Sequence, residues 1–213
     1  MRSERSEEEA RLSTEVSMKA TISPNFRERL PGRVTRLIVG VIIVGIVAFI
    51  VASLHLTFNY TDSLPVGFYS ASPLAGNVQS GDIVEVCAPQ EIARFGLLRH
   101  YLGKGSCSSG SAYLLKIAAA TAGDRVLLRR EGVFVNGKRL PGSRTLVKDR
   151  LGRSIPRVHL GTYLLEADQV WLWTPNPHSW DSRYYGPVRK ANIAGKAKLI
   201  LPIGAWPYLS ERV

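Results

Sequence analysis

The sequence predicts a mostly β domain preceded by one N-terminal membrane-spanning helix. Three observations predict it: an uncharged apolar stretch from Leu37 to Leu54, short apolar runs separated by turn residues after it, and no sustained helical period in that later part. The chain has 213 residues, of which 45% are apolar and 21% charged, and this excludes a disordered, collagenous or coiled-coil protein. The predicted boundaries are a flexible tail over 1–33, the helix over 34–56 and an exported domain over 57–213.

The uncharged stretch reads LIVGVIIVGIVAFIVASL, and extending it to Val34 gives the ~20 residues that span hydrocarbon. A buried core helix would carry a polar face, and a cleaved signal peptide would have a shorter leader and apolar core. Arginines crowd the N-terminal side at Arg27, Arg29, Arg33 and Arg36, whereas no Lys or Arg follows until Arg94. Because cytoplasmic flanks carry the positive charge, we predict a single-pass protein of the bacterial inner membrane with a cytoplasmic N-terminus and a periplasmic domain.

The formal net charge of +11 comes from 28 basic and 17 acidic residues. A balance this basic is typical of nucleic-acid binding or of an anionic surface. Because the excess is spread over the chain and the domain is predicted to be exported, we expect the membrane as a partner and no nucleic acid.

Short apolar runs bounded by turn residues predict the strands in chain order. They are IVEVC after Gly81-Asp82, YLLKIAAAT (113–121), RVLLRR after Gly123-Asp124, GVFVNGKRL with its Asn136-Gly137 hairpin turn, YLLEA (163–167), QVWLWT (169–174) and GKAKLILPI (195–203). The segment 88–112 is irregular apart from a short helix near EIARFGLLRH, and 141–160 is a second long connection. Loops of this length are often functional or mobile.

Both cysteines, Cys87 and Cys107, belong to the predicted exported domain. Two cysteines in an oxidising compartment most simply form one disulfide, and two buried free thiols are the alternative. Neither lies in a metal-ligand pattern with a histidine, so the sequence predicts no metal site and no cofactor.

Two segments of the domain contain candidate catalytic side chains. In NYTDSLPVGFY (59–69), Ser63 follows the helix closely, although most serines in such turns only bond their own backbone. In the strand beginning at Tyr113, residues 114, 116, 118 and 120 share one face, so Lys116 is the only charge on an apolar strip. It is either an edge-strand or snorkelling lysine or a desolvated amine whose lowered pKa makes it a base.

A third segment, HSWDSRYYGPV (178–188), places hydroxyls and phenols around Asp181 and Arg183. A structural ion pair in a turn is one interpretation of these two residues, and it is compatible with a catalytic site nearby. His178 adjoins the segment, so a triad based on histidine remains open.

In this order the motifs resemble the type I signal peptidase family, and SLPVGFY resembles its TraF-like conjugal-transfer branch. The matching segments are Ser63-Leu64-Pro65, Gly81-Asp82-Ile83-Val84, Lys116 with Gly123-Asp124, and Ser179-x-Asp181-Ser182-Arg183-Tyr184-x-Gly186. They cover nearly the whole predicted exported domain. One departure is Trp173-Thr174-Pro175-Asn176, where signal peptidases commonly have Gly-Asp-Asn-Arg, and it argues against a strict leader-peptidase assignment.

The resemblance implies a role for each matching residue. Ser63 would be the nucleophile and Lys116 the general base, with Ser179 orienting the lysine. Thr61 would donate its hydroxyl to the oxyanion beside the backbone N–H of Ser63, and on an extended segment the two side chains lie on the same side. Asp181 would pair with Arg183 to hold the loop, and in TraF-like members the aspartate is implicated in activity.

These observations predict a membrane-anchored serine endopeptidase with a Ser-Lys dyad, which is a known replacement for Ser-His-Asp. Its substrate would be an exported, membrane-tethered precursor such as a pilin or a signal-peptide-bearing protein. The acyl-enzyme would be resolved by water or by an amine of the substrate. The alternative is a non-catalytic anchored β scaffold of an envelope or conjugation assembly. A LexA-like self-cleaving regulator would need an N-terminal DNA-binding domain, and residues 1–33 are too short for one.

Overall fold

In a computed structural model, residues 32–53, 56–204 and 206 are described. The tail predicted over 1–33 lies, up to residue 31, outside the described residues. Helix α1 spans Gly32–Ser53. Its Gly32–Ile50 part has a mean hydropathy of 2.3, and every side chain described in it is exposed, so this helix has the length and composition of a membrane anchor or a signal sequence.

The domain that follows is mostly β, as the sequence predicts. Its strands are β1 (Leu56–Asn59), β2 (Gly67–Pro73), β3 (Ile83–Val86), β4 (Leu114–Ala120), β5 (Arg125–Leu128), β6 (Val133–Val135), β7 (Lys138–Arg139), β8 (Gly161–Leu164), β9 (Gln169–Trp173), β10 (Val188–Arg189) and β11 (Ile193–Pro202). Helical segments are α2 (Gln90–Leu98), α3 (Ser182–Tyr185) and a 3₁₀ turn (Lys190–Asn192). The short helix predicted near EIARFGLLRH is therefore confirmed.

The strands form a seven-stranded sheet with the order β1-β2-β11-β3-β4-β9-β10 and a four-stranded sheet with the order β7-β6-β5-β8. The predicted hairpin turn joins β6 and β7, and Asn136 and Gly137 adopt φ angles of 49° and 86°. Both angles are left-handed, as a two-residue hairpin turn requires, and this explains the Asn-Gly pair at that point.

The sequence analysis did not predict β1 and β2 as strands. They pair antiparallel with Asn59 opposite Gly67, so together they close the loop that contains Ser63. A Cβ atom at Gly67 would lie 2.2 Å from the backbone oxygen of Leu201 in β11, which leaves no room for any other side chain. The glycine of SLPVGFY therefore allows β11 to approach the start of β2.

Strand β4 is an interior strand between β3 and β9, which excludes the edge-strand interpretation of Lys116. The prediction that Ala120 shares the face of Lys116 is wrong. The β4–β9 register shifts between Ala118 and Ala120, and a bulge of this kind turns the following side chain to the other face. Accordingly, Leu114 and Ala118 pack in one core cluster, whereas Ala120 packs in another cluster with Trp171.

Cys87 and Cys107 form the predicted disulfide, with 5.5 Å between their Cα atoms. Cys87 directly follows β3, and Cys107 lies in the irregular segment between α2 and β4. The bond therefore ties this irregular segment to the central sheet.

Candidate active site

Ser63 lies in a tight turn over residues 61–64, between β1 and β2. The expectation that Thr61 and Ser63 lie on the same side of an extended segment is therefore wrong, because this segment is a turn and not an extended strand. Thr61 is exposed, and its hydroxyl donates to Asn59 Oδ1 at 2.8 Å. Ser63 is half-buried, and its hydroxyl donates to the hydroxyl of Ser179.

The amine of Lys116 is buried in the domain, since the residue is only 3% exposed. This burial excludes a snorkelling lysine. Lys116 Nζ donates to Ser179 Oγ at 2.8 Å. Desolvation lowers the pKa of this amine from 10.5 to about 8; the nearby guanidinium of Arg183 lowers it too, whereas the carboxylates of Asp181 and Asp62 raise it.

Ser179 joins the two candidate dyad residues. Its Oγ is 3.4 Å from Ser63 Oγ and accepts the hydrogen bond of Lys116. The backbone N–H of Ser179 donates to the carbonyl of Asn176, which holds the serine at the start of the third motif. Ser63 and Lys116 thus both contact the hydroxyl of Ser179, a residue that is only 2% exposed.

Asp181 and Arg183 form a fully buried, bidentate ion pair behind Ser179. Arg183 Nε donates to Asp181 Oδ1 at 2.8 Å and Nη2 donates to Oδ2 at 2.6 Å, with both side chains 0% exposed. The guanidinium also donates to backbone carbonyls, from Nη1 to that of Gly142 and from Nη2 to those of Thr174 and Asn176. Asp181 Oδ1 also accepts the N–H of Arg183 and so caps α3. Asp181 and Arg183 therefore form the structural ion pair that was one interpretation of the sequence.

A cleft of about 550 Å³ opens over these residues. Its lining includes Ser63, Lys116 and Ser179, and its walls come from the turn that follows α2, the irregular segment that carries Cys107, and a turn over 149–153. The two long connections predicted to be functional or mobile thus line the cleft. Trp180 forms part of the wall and packs against Tyr101 with 5.3 Å between ring centroids.

The turn over 149–153 is fixed to both sides of the cleft. Asp149 accepts hydrogen bonds at 2.7 Å from Tyr101 on one wall and from Arg153 within the turn. Arg150 reaches the other wall, where its Nη2 pairs at 2.9 Å with Asp62, the neighbour of Ser63. Sequence analysis missed these contacts because nothing in a basic loop indicates its partners.

His178 is exposed at the rim of the cleft. Its pKa is lowered, first by desolvation and then by the charges of Arg150 and Arg183, which outweigh Asp62. Its backbone N–H donates to Asn176 Oδ1, within the segment that departs from the usual signal peptidase motif. The lowered pKa disfavours the charged imidazolium at this position.

The family model described as "Signal peptidase, peptidase S26" matches residues 32–202. A plasmid transfer protein TraF of Escherichia coli is 33% identical over 177 residues, covering 80% of this chain and 97% of the relative. A probable conjugal transfer protein TraF of Sinorhizobium fredii is 36% identical over 146 residues, covering 67% of this chain and 75% of the relative.

Among solved structures, a signal peptidase I from Enterococcus faecalis is 19% identical, covers 58% of this chain and 98% of its own, and superposes with a TM-score of 0.33. The family match extends from α1 through β11, and thus includes the apolar helix and both sheets. The chain therefore belongs to the signal peptidase family, peptidase S26.

Proposed function

We propose that this chain is a membrane-anchored serine endopeptidase in which Ser63 is the nucleophile and Lys116 the general base. One observation carries the proposal: the buried amine of Lys116 and the hydroxyl of Ser63 both contact the hydroxyl of Ser179, and burial lowers the pKa of this amine to about 8. A lysine acts as a base only as the neutral amine, and burial among apolar neighbours favours that form.

In the proposed reaction, Ser63 Oγ attacks the scissile carbonyl while neutral Lys116 takes the hydroxyl proton. The tetrahedral oxyanion then accepts hydrogen bonds from the N–H of Ser63 and from the hydroxyl of Thr61, which turns away from Asn59 Oδ1. The Lys116 ammonium returns the proton to the leaving amine as the carbon–nitrogen bond breaks, and an ester at Ser63 remains. Water or a substrate amine then resolves this acyl-enzyme, with Lys116 again taking the proton.

Ser179 and Asp181 act through the dyad in this proposal. Ser179 holds Lys116 Nζ toward Ser63 by accepting its hydrogen bond. Both carboxylate oxygens of Asp181 are occupied by Arg183, so the aspartate holds the Ser179 segment in place and moderates the pKa of Lys116 by its charge.

A protein substrate with a signal peptide follows from membership of the family. Two relatives are named for plasmid or conjugal transfer, and these names support a peptidase role in conjugation, with a pilin precursor as the proposed substrate. We further propose that α1 anchors the chain in the bacterial inner membrane with the domain in the periplasm, because the arginines precede the helix.

Replacing either dyad residue tests the proposal. We expect Ser63→Ala and Lys116→Ala each to abolish cleavage of the precursor by the full chain in membranes. Ser108→Ala and Lys198→Ala, which change an exposed serine and an exposed lysine, serve as matched controls and should retain full activity. Folding is followed by resistance to added protease. Retained cleavage in either dyad variant contradicts the mechanism, and a wild type without any peptidase activity favours the scaffold.

The pH dependence tests the identity of the base. Below a pKa of about 8 the amine of Lys116 is protonated and accepts no proton. We therefore expect kcat to rise about tenfold per pH unit toward pH 8 and to level off above it. A limb that is centred below pH 7 and disappears in His178→Ala would instead identify the histidine as the base.

A further inference from the structure

The side-chain amide of Asn59 lies at the centre of the turn that carries Ser63. The residue ends β1 and is 7% exposed. Its Nδ2 lies 3.0 Å from the carbonyl oxygen of Thr61 and 3.1 Å from those of Leu64 and Pro65. Its Oδ1 accepts from the backbone N–H of Thr61 at 3.2 Å and from the hydroxyl of Thr61 at 2.8 Å. One side chain therefore holds both ends of the segment 61–65.

These partners fix the orientation of the amide. Nδ2 faces carbonyl oxygens, which only accept, whereas Oδ1 faces a backbone N–H, which only donates. A flipped amide would bring oxygen against three oxygens and nitrogen against a donor. Because buried polar groups without partners are costly, neither an acid nor an apolar side chain of the same size can replace this set of bonds.

The hydrogen bonds of the Asn59 side chain lie within the turn. All five go to Thr61, Leu64 and Pro65, and β1 is the outermost strand of its sheet. A second side chain, that of Tyr69, also donates its hydroxyl to the carbonyl of Pro65 at 2.8 Å and supports the far end of the turn. The contacts of Asn59 are thus concentrated on the turn, and its loss should leave the sheets and cores folded.

We propose that Asn59 is a positioning residue, which holds the Ser63 turn in its reactive geometry and keeps the hydroxyl of Thr61 beside the site. This inference rests on the proposed function of Ser63. In the resting site the hydroxyl proton of Thr61 points to Asn59 Oδ1. When an oxyanion forms, that proton moves to it by rotation of one bond, while Oδ1 keeps the backbone N–H of Thr61. The single amide of Asn59 thereby positions both Ser63, the proposed nucleophile, and Thr61, a proposed oxyanion donor.

The experiment measures steady-state kinetics of the full chain in detergent on a blocked Ala-Leu-Ala p-nitrophenyl ester, whose two alanines match the Ala-x-Ala pattern found before signal-peptide cleavage sites. Asn59→Asp keeps the size and one acceptor but sets a second oxygen against three carbonyls, and Asn59→Ala removes all five bonds. We expect kcat to fall by roughly 100-fold in both variants, because a misplacement of about 1 Å has that effect, while KM changes by less than about threefold.

Leu128→Ala is the matched control, because Leu128 is buried in the core cluster around Trp171, whereas Leu64 of the turn belongs to a different cluster. It lowers the thermal midpoint without touching the site, so we expect nearly unchanged kcat at a temperature where it remains folded. Asn59→Asp should lose kcat while staying folded at that temperature. In Asn59→Ala the acid limb of kcat should keep its midpoint, since this variant adds no charge near Lys116.

The outcomes separate this inference from the proposed function. If Ser63→Ala is inactive but both Asn59 variants keep more than about a third of wild-type kcat, Asn59 has no positioning role and the inference is wrong. If kcat falls equally in Leu128→Ala, the loss reflects stability alone and the inference is again wrong. If Ser63→Ala hydrolyses the ester like the wild type, the proposed function itself fails.

Discussion

Two aspartate–arginine pairs flank the candidate dyad, and they differ in almost every physical respect. Asp181 and Arg183 lie behind Ser179, are 0% exposed and approach to 2.6 Å. Asp62 and Arg150 lie at the mouth of the cleft beside Ser63, with side chains 51% and 63% exposed, and approach to 2.9 Å. The comparison shows that the same two residue types form a buried support behind the site in the Asp181–Arg183 pair and a solvent-exposed contact at its rim in the Asp62–Arg150 pair.

The difference lies in what surrounds each guanidinium. In the buried pair Arg183 also donates to three backbone carbonyls, so its desolvation is offset by bonds that no solvent screens. In the rim pair water competes for both partners, and exposed pairs contribute little. Breaking the first should therefore damage the fold, whereas breaking the second should not.

The largest effect is expected from Arg183→Met. This change leaves the carboxylate of Asp181 buried without its ion-pair partner and removes a donor from three carbonyls, of which, among the described residues, only that of Asn176 keeps another bond, to the N–H of Ser179. Removing one member of a buried pair destabilises proteins by about 3–5 kcal/mol. The loss should appear as a lower urea midpoint at an unchanged slope. A loss below about 1 kcal/mol, the range of exposed pairs, would remove the distinction between the two sites.

A smaller effect of opposite sign is expected from Lys116→Met. At pH 7 the wild-type chain holds a buried ammonium whose pKa falls from 10.5 to about 8, and this shift costs about 3 kcal/mol. The variant also loses the bond to Ser179, so we expect a net gain of about 1–2 kcal/mol, or roughly 2–8 °C in the thermal midpoint.

The pH dependence of that gain checks its cause. Below the folded pKa of about 8 both states of the wild type bind the proton, so the penalty is complete and constant. Between about 8 and 10.5 the unfolded state binds more protons than the folded state, so wild-type stability rises with pH. The advantage of Lys116→Met should therefore shrink over this range, and a gain that is independent of pH would point to packing instead.

The smallest effect is expected from Arg150→Ala. The exposed pair contributes less than about 1 kcal/mol, and this contribution falls further at high salt. Thermal midpoints in low and high salt should therefore differ little from those of the wild type. A loss comparable to that of Arg183→Met would show that the rim turn is part of the folded framework.

The sequence predicted most strands because alternating apolar residues and turn residues such as Asn136-Gly137 determine local structure. It missed β1 and β2, since Gly67 and the serines of β2 are poor strand formers and the pairing is imposed by β11. It also misplaced Ala120, because a bulge depends on the register of the partner strand. Motifs identified Ser63, Lys116 and Ser179 as candidate site residues. Their contacts at the hydroxyl of Ser179 could not be predicted, because each joins residues more than 60 positions apart in the chain.

Asn59 illustrates what a motif leaves out. An asparagine next to a turn is a common signal for side-chain bonds to the local backbone, but it does not reveal which carbonyls lie within reach. Only the pairing of β1 with β2 folds the chain back so that Leu64 and Pro65 approach the amide. The supporting residue could therefore be suspected from sequence but not assigned.

The disulfide has a consequence for when the domain reaches its final structure. Cys107 belongs to the segment that forms one wall of the cleft, and its bond to Cys87 ties that wall to the central sheet. A newly made chain in the reducing cytoplasm would lack this tether, because disulfides form and persist in oxidising compartments. Under the proposed topology this wall of the cleft would thus be tied to the sheet only after translocation, and a domain still in the cytoplasm would lack that constraint beside Ser63 and Lys116.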